Sequence, residues 1–436
     1  MLYPFGPWGL CDAQVVAAVD FCAGDGNLVL NSLLITVDNG INARREILLA
    51  KRPGVDVIVI DHHRIQEQAN TRAVWSQEFC GAGLAALFAV TLALRAGWKD
   101  GRVERLQAAM SQYAAIASVA DCVPLLHGTR TLARLGMREL AYADNCGLRE
   151  LLRVCCADPA SPDSNDLAFG VAPRINAAGR IDYPARALSV FEAARDEDAA
   201  HRSVERLDQL NQQRRQLVAE HFGGLCAEIP QPAPPALVLY RVACPKGIAG
   251  LLAAKCVDRF RVPSIVLALA PAPEPGLVVG SGRSVAGFDL AEALERFRGF
   301  FKQFGGHAQA VGLTMSIGQI EAFTKEFTSF VEGLKLDRNR EIHQDGELVL
   351  ATAGKHFEEQ LGLLEPLGEG NPAPIFLLRT VQVVSLRNRW VRIRRGRFSL
   401  EALCWDLAPQ VGMRGSCLIE FRDKRRVLKG FREGDR

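Results

Sequence analysis

Val55-Asp56-Val57-Ile58-Val59-Ile60 is followed directly by Asp61-His62-His63. The first six residues form an apolar, β-branched run, which is typical of a strand buried in a parallel sheet. Polar groups that follow such a strand lie at the carboxyl edge of the sheet, where α/β proteins place their ligand sites. One acid and two imidazoles at that edge are a natural metal site. This stretch therefore predicts both an α/β fold and the place of its chemistry.

The same pattern occurs earlier in the chain. Leu33-Leu34-Ile35-Thr36-Val37 is a second apolar run, and it stops at Asp38. Two adjacent parallel strands would deliver Asp38 and Asp61-His62-His63 to one edge, and a third carboxylate, Asp121, follows the small apolar run at residues 116–120. A single aspartate at a strand end is also a common helix N-cap, so the prediction depends on the combination. Carboxylates with imidazoles and no thiolate spacing favour Mn²⁺ or Mg²⁺ over zinc.

The order and spacing of these stretches resemble the DHH phosphoesterase family, and within it the RecJ-like single-strand-specific exonucleases. Three segments are similar to the family's second, third and fourth motifs: Thr36-Val37-Asp38-Asn39-Gly40-Ile41, Asp61-His62-His63 and Ser118-Val119-Ala120-Asp121-Cys122-Val123-Pro124-Leu125. The resemblance implies a parallel-sheet DHH domain, a long connecting helix, an α/β DHHA1 domain and a C-terminal β-barrel OB-fold.

The resemblance also implies a two-metal site of Mn²⁺ or Mg²⁺ ions. The catalytic residues that it implies are Asp38, Asp61, His62, His63 and Asp121. Among them Asp38, His62 and Asp121 are the expected metal ligands. Asp61 and His63 are expected to be further ligands or to support the ligands.

The family's first motif, an acidic segment of the form D-x-D-x-D-G, does not occur upstream of Asp38. Asp20 and Asp25 do not replace it, because Asp20 lies in the helical pattern of residues 12–21 and Asp25 lies in the turn Ala23-Gly24-Asp25-Gly26. Two interpretations stay open: the chain is truncated at its N-terminus, or it is a degenerate homologue. Both put its activity in question.

Length and composition limit the class of protein. With 436 residues, of which 48% are hydrophobic, we expect two to four domains. A net charge of +3 excludes a general basic field, so any nucleic-acid surface must be local. Twelve cysteines without C-x-x-C spacing favour reduced thiols in a cytoplasm. The longest apolar run, residues 79–94, is too short to span a bilayer and is predicted to be a buried helix. Residues 1–10 show no signal-peptide pattern.

The segment Phe169-Gly170-Val171-Ala172-Pro173-Arg174-Ile175-Asn176-Ala177-Ala178-Gly179-Arg180 combines two arginines and an asparagine with small residues. Guanidinium groups bind phosphate oxygens through forked hydrogen bonds, and a buried structural ion pair is the alternative. The segment matches the family's R-I-N-A-A-G-R element. The resemblance therefore implies that three residues border the active site and contact phosphate: Arg174, Asn176 and Arg180.

Domain boundaries follow from the pattern of the chain. Residues 185–223 show a helical pattern that no proline interrupts, and a proline-rich segment at 230–235 ends the connection. We predict a DHH domain at residues 1–184 that is incomplete at its N-terminus, a connecting helix at 185–229, a DHHA1 domain at 236–336 and an OB-fold at 338–436.

The predicted DHHA1 domain contains two glycine-rich elements. In Gly280-Ser281-Gly282-Arg283-Ser284, flexible glycines beside serine and arginine would allow the backbone to approach an anion closely. This element and Gly305-Gly306-His307 resemble the family's S-G-R-S and G-G-H elements, which implies substrate binding across the cleft from the metals by Ser281, Arg283 and His307. A structural histidine that caps a glycine turn is the alternative for His307. The family's Trp-His pair is replaced here by Ala243-Cys244.

A local basic footprint lies near the C-terminus. Residues 379–397 contain seven arginines, no acid and Trp390, and they follow a turn-rich segment at 365–376 that matches the family's linker into its OB-fold. Interleaved arginine and aromatic side chains provide phosphate attraction and stacking, the two components of sequence-tolerant strand binding. A solvated charged face is the alternative. The residues expected to hold the strand are Arg387, Arg389, Trp390, Arg392 and Arg394.

Taken together, the resemblance implies a cytoplasmic, monomeric 5′ to 3′ exonuclease of DNA repair and recombination. Its partner would be single-stranded DNA, with a single-strand-binding protein or a helicase as candidate protein partners and no membrane. Two alternatives stay open: an inactive single-strand-binding scaffold, and a DHH phosphoesterase that cuts short oligonucleotides. An OB-fold argues for longer strands than the second alternative requires.

Overall fold

A computed structural model describes residues 33–51, 54–65, 71–270, 276–338, 341–405, 407, 409–422 and 425–434. Residues 1–32, which include Asp20 and Asp25, lie outside these ranges. The chain divides into two compact units. Unit 1 comprises Met1–Pro173, Val190–His201 and Ile342–Arg436, and unit 2 comprises Arg174–Ser189 and Arg202–Glu341.

The sheet of unit 1 has three parallel strands in the order β1-β2-β3: β1 is Leu33–Val37, β2 is Asp56–Asp61 and β3 is Arg72–Trp75. Strands β1 and β2 pair in register from Leu33 with Asp56 to Val37 with Ile60. The backbone N–H of Asp38 continues this ladder and donates to the Ile60 carbonyl at 2.8 Å. The prediction that two parallel strands end side by side is therefore confirmed.

The N-terminal part of unit 1 also contains helices, among them Arg44–Lys51, Gly81–Arg95, Arg102–Ala120, His127–Leu140 and Cys146–Cys155, with a π-helical turn at Asp166–Val171. The prediction that residues 79–94 form a buried helix is only half right. Leu84 is buried, whereas Leu92 and Leu94 are 58% and 59% exposed, because only one face of Gly81–Arg95 packs against the protein. The apolar run before Asp121 is the last turn of the helix Arg102–Ala120.

The predicted connecting helix is interrupted. Ala185–Glu192 and Glu197–Glu228 are separate helices, so the uninterrupted helical pattern expected from residue 185 to residue 223 is wrong at residues 193–196. The Asp196 carboxylate accepts a hydrogen bond from the Ala199 backbone N–H at 2.9 Å and so begins the second helix. An aspartate cap, and not a proline, divides the segment.

The main sheet of unit 2 has the order β4-β5-β6-β8-β7: β4 is Leu237–Arg241, β5 is Ser264–Leu269, β6 is Leu277–Arg283, β7 is Phe301–His307 and β8 is Ala310–Ser316. Only the β4–β5 pair is parallel. In sequence, helix Ala249–Phe260 lies between β4 and β5, and helix Leu290–Glu295 lies between β6 and β7. Helix Ile320–Leu334 follows β8. Phe323 and Phe327 of the last helix are fully buried and stack with ring centroids 5.5 Å apart.

Glycines of the predicted anion loop lie within strand β6 instead. A Cβ at Gly280 would lie 2.4 Å from Leu267 Cδ2, and one at Gly282 would lie 2.7 Å from Val311 Cγ2. The prediction that these glycines are flexible is therefore wrong, because neighbouring strands occupy the space that a side chain would need.

The C-terminal strands form a closed barrel. They are β9 at Gly346–Glu347, β10 at Ile375–Arg387, β11 at Trp390–Arg395, β12 at Phe398–Leu403, β13 at Arg414–Arg422 and β14 at Arg425–Glu433. The order β11-β12-β14-β13-β10 closes on itself because β10 also pairs with β11. Five strands closed in this way have the architecture of an OB-fold, which confirms the predicted C-terminal β-barrel.

None of the helices among the described residues has both the length and the apolar character needed to cross a membrane.

Candidate metal centre

Three predicted metal ligands meet beyond the carboxyl ends of β1 and β2. Asp38 follows β1 directly with a φ of 64°. Nε2 of His62 lies 3.1 Å from Asp38 Oδ1 and 3.3 Å from Asp121 Oδ2. Asp121 belongs to a different element, because it is the C-cap residue of the helix Arg102–Ala120. One imidazole nitrogen and two carboxylates thus converge on one point.

His63 completes the cluster. Ligand atoms of Asp38, His62 and His63 all lie within 4.8 Å of one another. The set contains carboxylate oxygens and imidazole nitrogens but no thiolate, a combination that suits Mn²⁺ or Mg²⁺. The side chains present therefore fit the divalent metal that the sequence predicts.

Asp61 holds the two histidines in place. Its side chain is buried, and it accepts hydrogen bonds from the backbone N–H groups of Ile41 at 2.9 Å, His62 at 2.8 Å and His63 at 3.2 Å. Nδ1 of His63 is 2.7 Å from Asp61 Oδ1. Burial alone would raise the pKa of Asp61, but the hydrogen bonds from His63 and Ile41 outweigh it and lower the pKa. Asp61 is therefore placed to orient His63 and leave Nε2 of that ring free for another partner.

Electrostatics of the centre favour a cation. The hydrogen bond to Asp38 raises the pKa of His62 against the opposing effect of burial. Burial raises the pKa of Asp121, and the nearby charge of Asp38 raises it further. Two carboxylates that both face the largely buried side chain of His62 are stabilised by positive charge, either on His62 or on a bound metal ion.

Gly81 lies against one of these carboxylates. A Cβ at this position would lie 2.4 Å from Asp38 Oδ1, so only glycine fits. Gly81 is the first residue of a helix that Cys80 caps, and the positive end of a helix dipole stabilises a nearby carboxylate. The small residues of Gly81-Ala82-Gly83 by themselves indicate close packing without chemistry. The packing partner of Gly81, however, is a predicted metal ligand.

Unit 2 holds the arginines of the R-I-N-A-A-G-R element. Nε and Nη2 of Arg174 each lie 2.8 Å from Asp208 Oδ1. Arg174 therefore forms a structural ion pair, which was the alternative to phosphate binding in the sequence analysis. Nη1 of Arg180 donates to the Gly247 carbonyl at 3.1 Å, and burial lowers its pKa. Asn176 is exposed.

Ser281 and Arg283 form a pair in the same unit, with Arg283 Nη1 donating to Ser281 Oγ at 3.0 Å. A Cβ at Gly250 would lie 2.9 Å from both Ser281 Oγ and Arg283 Nη2, so this pair lies next to the first turn of the helix Ala249–Phe260. Donors at a helix N-terminus beside a guanidinium provide a favourable environment for an anion. His307 and Arg283 lie in one cross-strand row, because Ala310 is in register with both.

Arg214 was missed by the sequence analysis. Burial and the nearby charge of Arg180 both lower the pKa of Arg214. The same two causes lower the pKa of Arg283. Nε of Arg214 is buried and has no hydrogen-bond partner among the described residues. Arg180 therefore repels both Arg214 and Arg283, and all three arginines are partly buried in unit 2. Arg214 lies on the polar face of a long helix, where charged side chains are common, so the sequence gives no signal that it differs from its neighbours.

The barrel presents part of its arginine run on one exposed face. Trp390, Arg392 and Arg394 alternate along β11 with the buried residues Val391 and Ile393. Arg387 of β10 is in register with Trp390. These residues therefore lie on two neighbouring strands.

Acids from other strands neutralise some of these arginines, although residues 379–397 contain none. Nε of Arg392 donates to Glu401 on β12 at 2.9 Å, and Nε of Arg379 donates to Glu347 at 2.9 Å. Trp405, which the sequence analysis missed, is 54% exposed and lies 4.7 Å from the guanidinium of Arg389. An aromatic residue eight positions beyond the arginine run gave no local signal.

Comparisons with known proteins identify two domain families in this chain. The model of the DHH family, N-terminal domain, matches residues 10–120, and the model of the DHHA1 domain matches residues 234–333. The single-stranded-DNA-specific exonuclease RecJ of Dickeya dadantii is 34% identical over 79% of this chain, and RecJ of Bacillus subtilis is 30% identical over 82% of it. Residues 10–120 therefore match the DHH family and residues 234–333 the DHHA1 domain, and the chain is similar to the RecJ exonucleases.

Solved structures agree with this. The crystal structure of RecJ from Thermus thermophilus in complex with Mn²⁺ superposes with a TM-score of 0.83 at 25% identity, and the match covers all of this chain and 65% of that one. The chain spans 64% of the D. dadantii protein and 46% of the B. subtilis protein, which is less than two thirds of either.

Proposed function

We propose that the chain is a metal-dependent exonuclease that hydrolyses phosphodiester bonds of single-stranded DNA from the 5′ end, in DNA repair and recombination. The observation that carries the proposal is the convergence of Asp38 and Asp121 on His62 Nε2, at 3.1 and 3.3 Å. Relatives at 30% and 34% identity are named single-stranded-DNA-specific exonucleases, which supports the choice of substrate.

Asp38, His62 and Asp121 would hold Mn²⁺ or Mg²⁺, with His63 as a further ligand. Bound metal of this kind activates a water molecule and neutralises charge on the phosphoryl oxygens during in-line attack. Asp61 would keep both histidines oriented through three of its four hydrogen bonds. Gly81 would leave the Asp38 carboxylate the room that it needs.

Phosphate groups of the substrate would bind to unit 2. The residues proposed to contact them are Arg174, Asn176, Arg180, Ser281, Arg283 and His307, with Arg214 added from the structure. Arg180, Arg214 and Arg283 are cations already partly removed from water, so an incoming phosphate relieves their mutual repulsion. Positive groups fixed before the reaction stabilise developing negative charge without reorganisation.

The barrel would hold the strand as it is digested. Trp390 offers a stacking surface, and the arginines Arg387, Arg389, Arg392 and Arg394 attract phosphates. We further propose the domain limits given above, a monomer in the cytoplasm, and a single-strand-binding protein or a helicase as protein partner.

Nucleotide release from labelled single-stranded DNA tests the proposal. With Mn²⁺, the 436-residue chain should release nucleotides from a 5′-labelled strand, and EDTA should stop the release. Asp121→Ala should abolish it, while Asp144→Ala, which changes an exposed aspartate, should not. Full activity of Asp121→Ala would contradict the ligand assignment. Strand binding without cleavage by the unaltered chain would favour the inactive scaffold.

A further inference from the structure

The position of Asp121 depends on a short connection. Asp121 ends the helix Arg102–Ala120, and Leu126 begins the next helix, His127–Leu140. Between them Cys122 has a φ of 53°, in the left-handed region that is unfavourable for a side chain. Something must hold residues 122–126 for the Asp121 carboxylate to stay beside His62.

A tight turn at the start of the barrel region lies against this connection. Gly368 and Asn371 exchange backbone hydrogen bonds at 2.8 and 3.2 Å, and Gly370 has a φ of 71°. Nδ2 of Asn371 donates to the carbonyls of Leu364 and Pro366 at 2.8 Å each. Residues 368–371, which we call the 368–371 turn, are therefore rigid by themselves.

Leu125 is the point of contact. Its backbone N–H donates to the Glu369 carbonyl at 2.7 Å, and its side chain is 1% exposed. A Cβ at Gly368 would lie 2.8 Å from Leu125 Cδ1. One at Gly370 would lie 3.2 Å from Pro124 Cβ. Both glycines are needed for the turn to approach so closely.

The turn is also held independently of Leu125. The Leu367 backbone N–H donates to Ser164 Oγ at 3.1 Å. Its position is thus determined by a second attachment within unit 1, and it can act as a support for the connection that follows Asp121.

We propose that the 368–371 turn is a positioning element for Asp121: it fixes Leu125, and through Leu125 the carboxylate that faces His62. The inference rests on the proposed metal centre and adds that its metal affinity depends on residues of the C-terminal region. The turn does not touch the metal or the substrate. It acts by restricting the backbone that carries a ligand, as residues outside the ligand set do in other metal sites.

Two measurements on the full chain test this: the Kd for Mn²⁺, from the EPR signal of free Mn²⁺, and amide hydrogen exchange in a peptide that contains Leu125. Gly368→Ala and Gly370→Ala should weaken Mn²⁺ binding by roughly tenfold. Both should also accelerate exchange at Leu125. Because the defect is in affinity, saturating Mn²⁺ should restore nucleotide release.

Matched substitutions separate this effect from general damage. Gly97→Ala imposes a similar backbone penalty at a φ of 74°, and Gly362→Ala lies just before the turn; a Cβ at either position has nothing within 4 Å. Neither should change Kd or exchange at Leu125. Asn371→Ala removes two hydrogen bonds of the turn without adding volume. If the glycine variants fail to fold, the Kd for Mn²⁺ of Asn371→Ala tests the inference, and it should be raised.

Two results would overturn the inference. Mn²⁺ binding at the level of the control variants in Gly368→Ala, Gly370→Ala and Asn371→Ala would show that the turn does not position Asp121. A wild-type chain without Mn²⁺ affinity would instead overturn the proposed metal centre and this inference together, so the two failures are distinguishable.

Discussion

The metal centre and the barrel face gather their charges in opposite ways. At the metal centre, Asp38, His62 and Asp121 come from three separate stretches, yet their atoms lie 3.1 and 3.3 Å apart. On the barrel, seven arginines lie within residues 379–397, yet the structure places five of them on two strands and two in turns, and it pairs some with acids from other strands. Charge density along the chain is therefore a poor guide to charge density in space.

The difference has an energetic consequence. His62 is only 15% exposed and lies between the Asp38 and Asp121 carboxylates, so each change at the metal centre leaves other charged groups without compensation. Arg392 and Glu401 are half-exposed, and an exposed ion pair contributes at most about 1 kcal/mol. We therefore expect substitutions at the metal centre to have large effects and those on the barrel face to have small ones.

Among variants that keep every predicted metal ligand, the largest effect is expected from Gly81→Ala. The added Cβ would lie 2.4 Å from Asp38 Oδ1 and would displace that carboxylate. Misplacing a catalytic group by about 1 Å costs roughly 100-fold in rate, so Mn²⁺-dependent release of nucleotides should fall by that order. Gly83→Ala is the control in the same helical turn, because its Cβ would lie no closer than 3.4 Å to a neighbour. Equal rates for the two variants would contradict the close approach of Gly81 to Asp38.

Asp61→Asn should have the next largest effect. The amide keeps the size of the side chain but replaces one acceptor oxygen by a donor. Because Asp61 accepts all four of its hydrogen bonds, at least one of them should be lost. Residues that orient metal ligands contribute about 10-fold or more to metal affinity. Mn²⁺ titration should show this loss, and Asp56→Asn, at the exposed start of the same strand, should not. An unchanged Kd would mean that His63 does not need Asp61 for its orientation.

Trp390→Ala tests the barrel side of the comparison. Stacking of one base on an aromatic ring is worth about 1 kcal/mol at the low end, so affinity for single-stranded DNA should fall roughly fivefold. The rate at saturating DNA should change little. Trp98, which is equally exposed at 46%, lies outside the barrel, and Trp98→Ala is the matched control. The same loss in both variants, by fluorescence anisotropy, would exclude a specific role for the barrel face.

Glu401→Gln should have the smallest effect, and in the opposite direction. It removes the acid that pairs with Arg392 and so frees one exposed cation. Single-stranded DNA should bind about twofold more tightly at low salt, and the gain should disappear as salt is raised. Weaker binding at low salt would mean that Glu401 holds Arg392 in a productive orientation.

Local sequence patterns were sufficient to predict the strands β1 and β2 and many of the residues of the metal centre. The β-branched runs before Asp38 and Asp61 predicted two parallel strands that end together, and the structure confirms their pairing. Strand character, and the polar residues that end a strand, depend on neighbouring residues, so a single sequence contains them. The interruption before Glu197 was missed because an aspartate cap is a weaker signal than a proline.

Sequence by itself determined the chemistry of this protein: which carboxylates and imidazoles follow its strands, and which arginines accompany Trp390. Tertiary structure alone decided what those groups face. It placed Gly81 against Asp38, Glu401 against Arg392 and the Glu369 carbonyl against Leu125. The physical reason is that each of these contacts joins residues distant in the chain, and their distance is set by how strands and helices pack and not by the preferences of either residue.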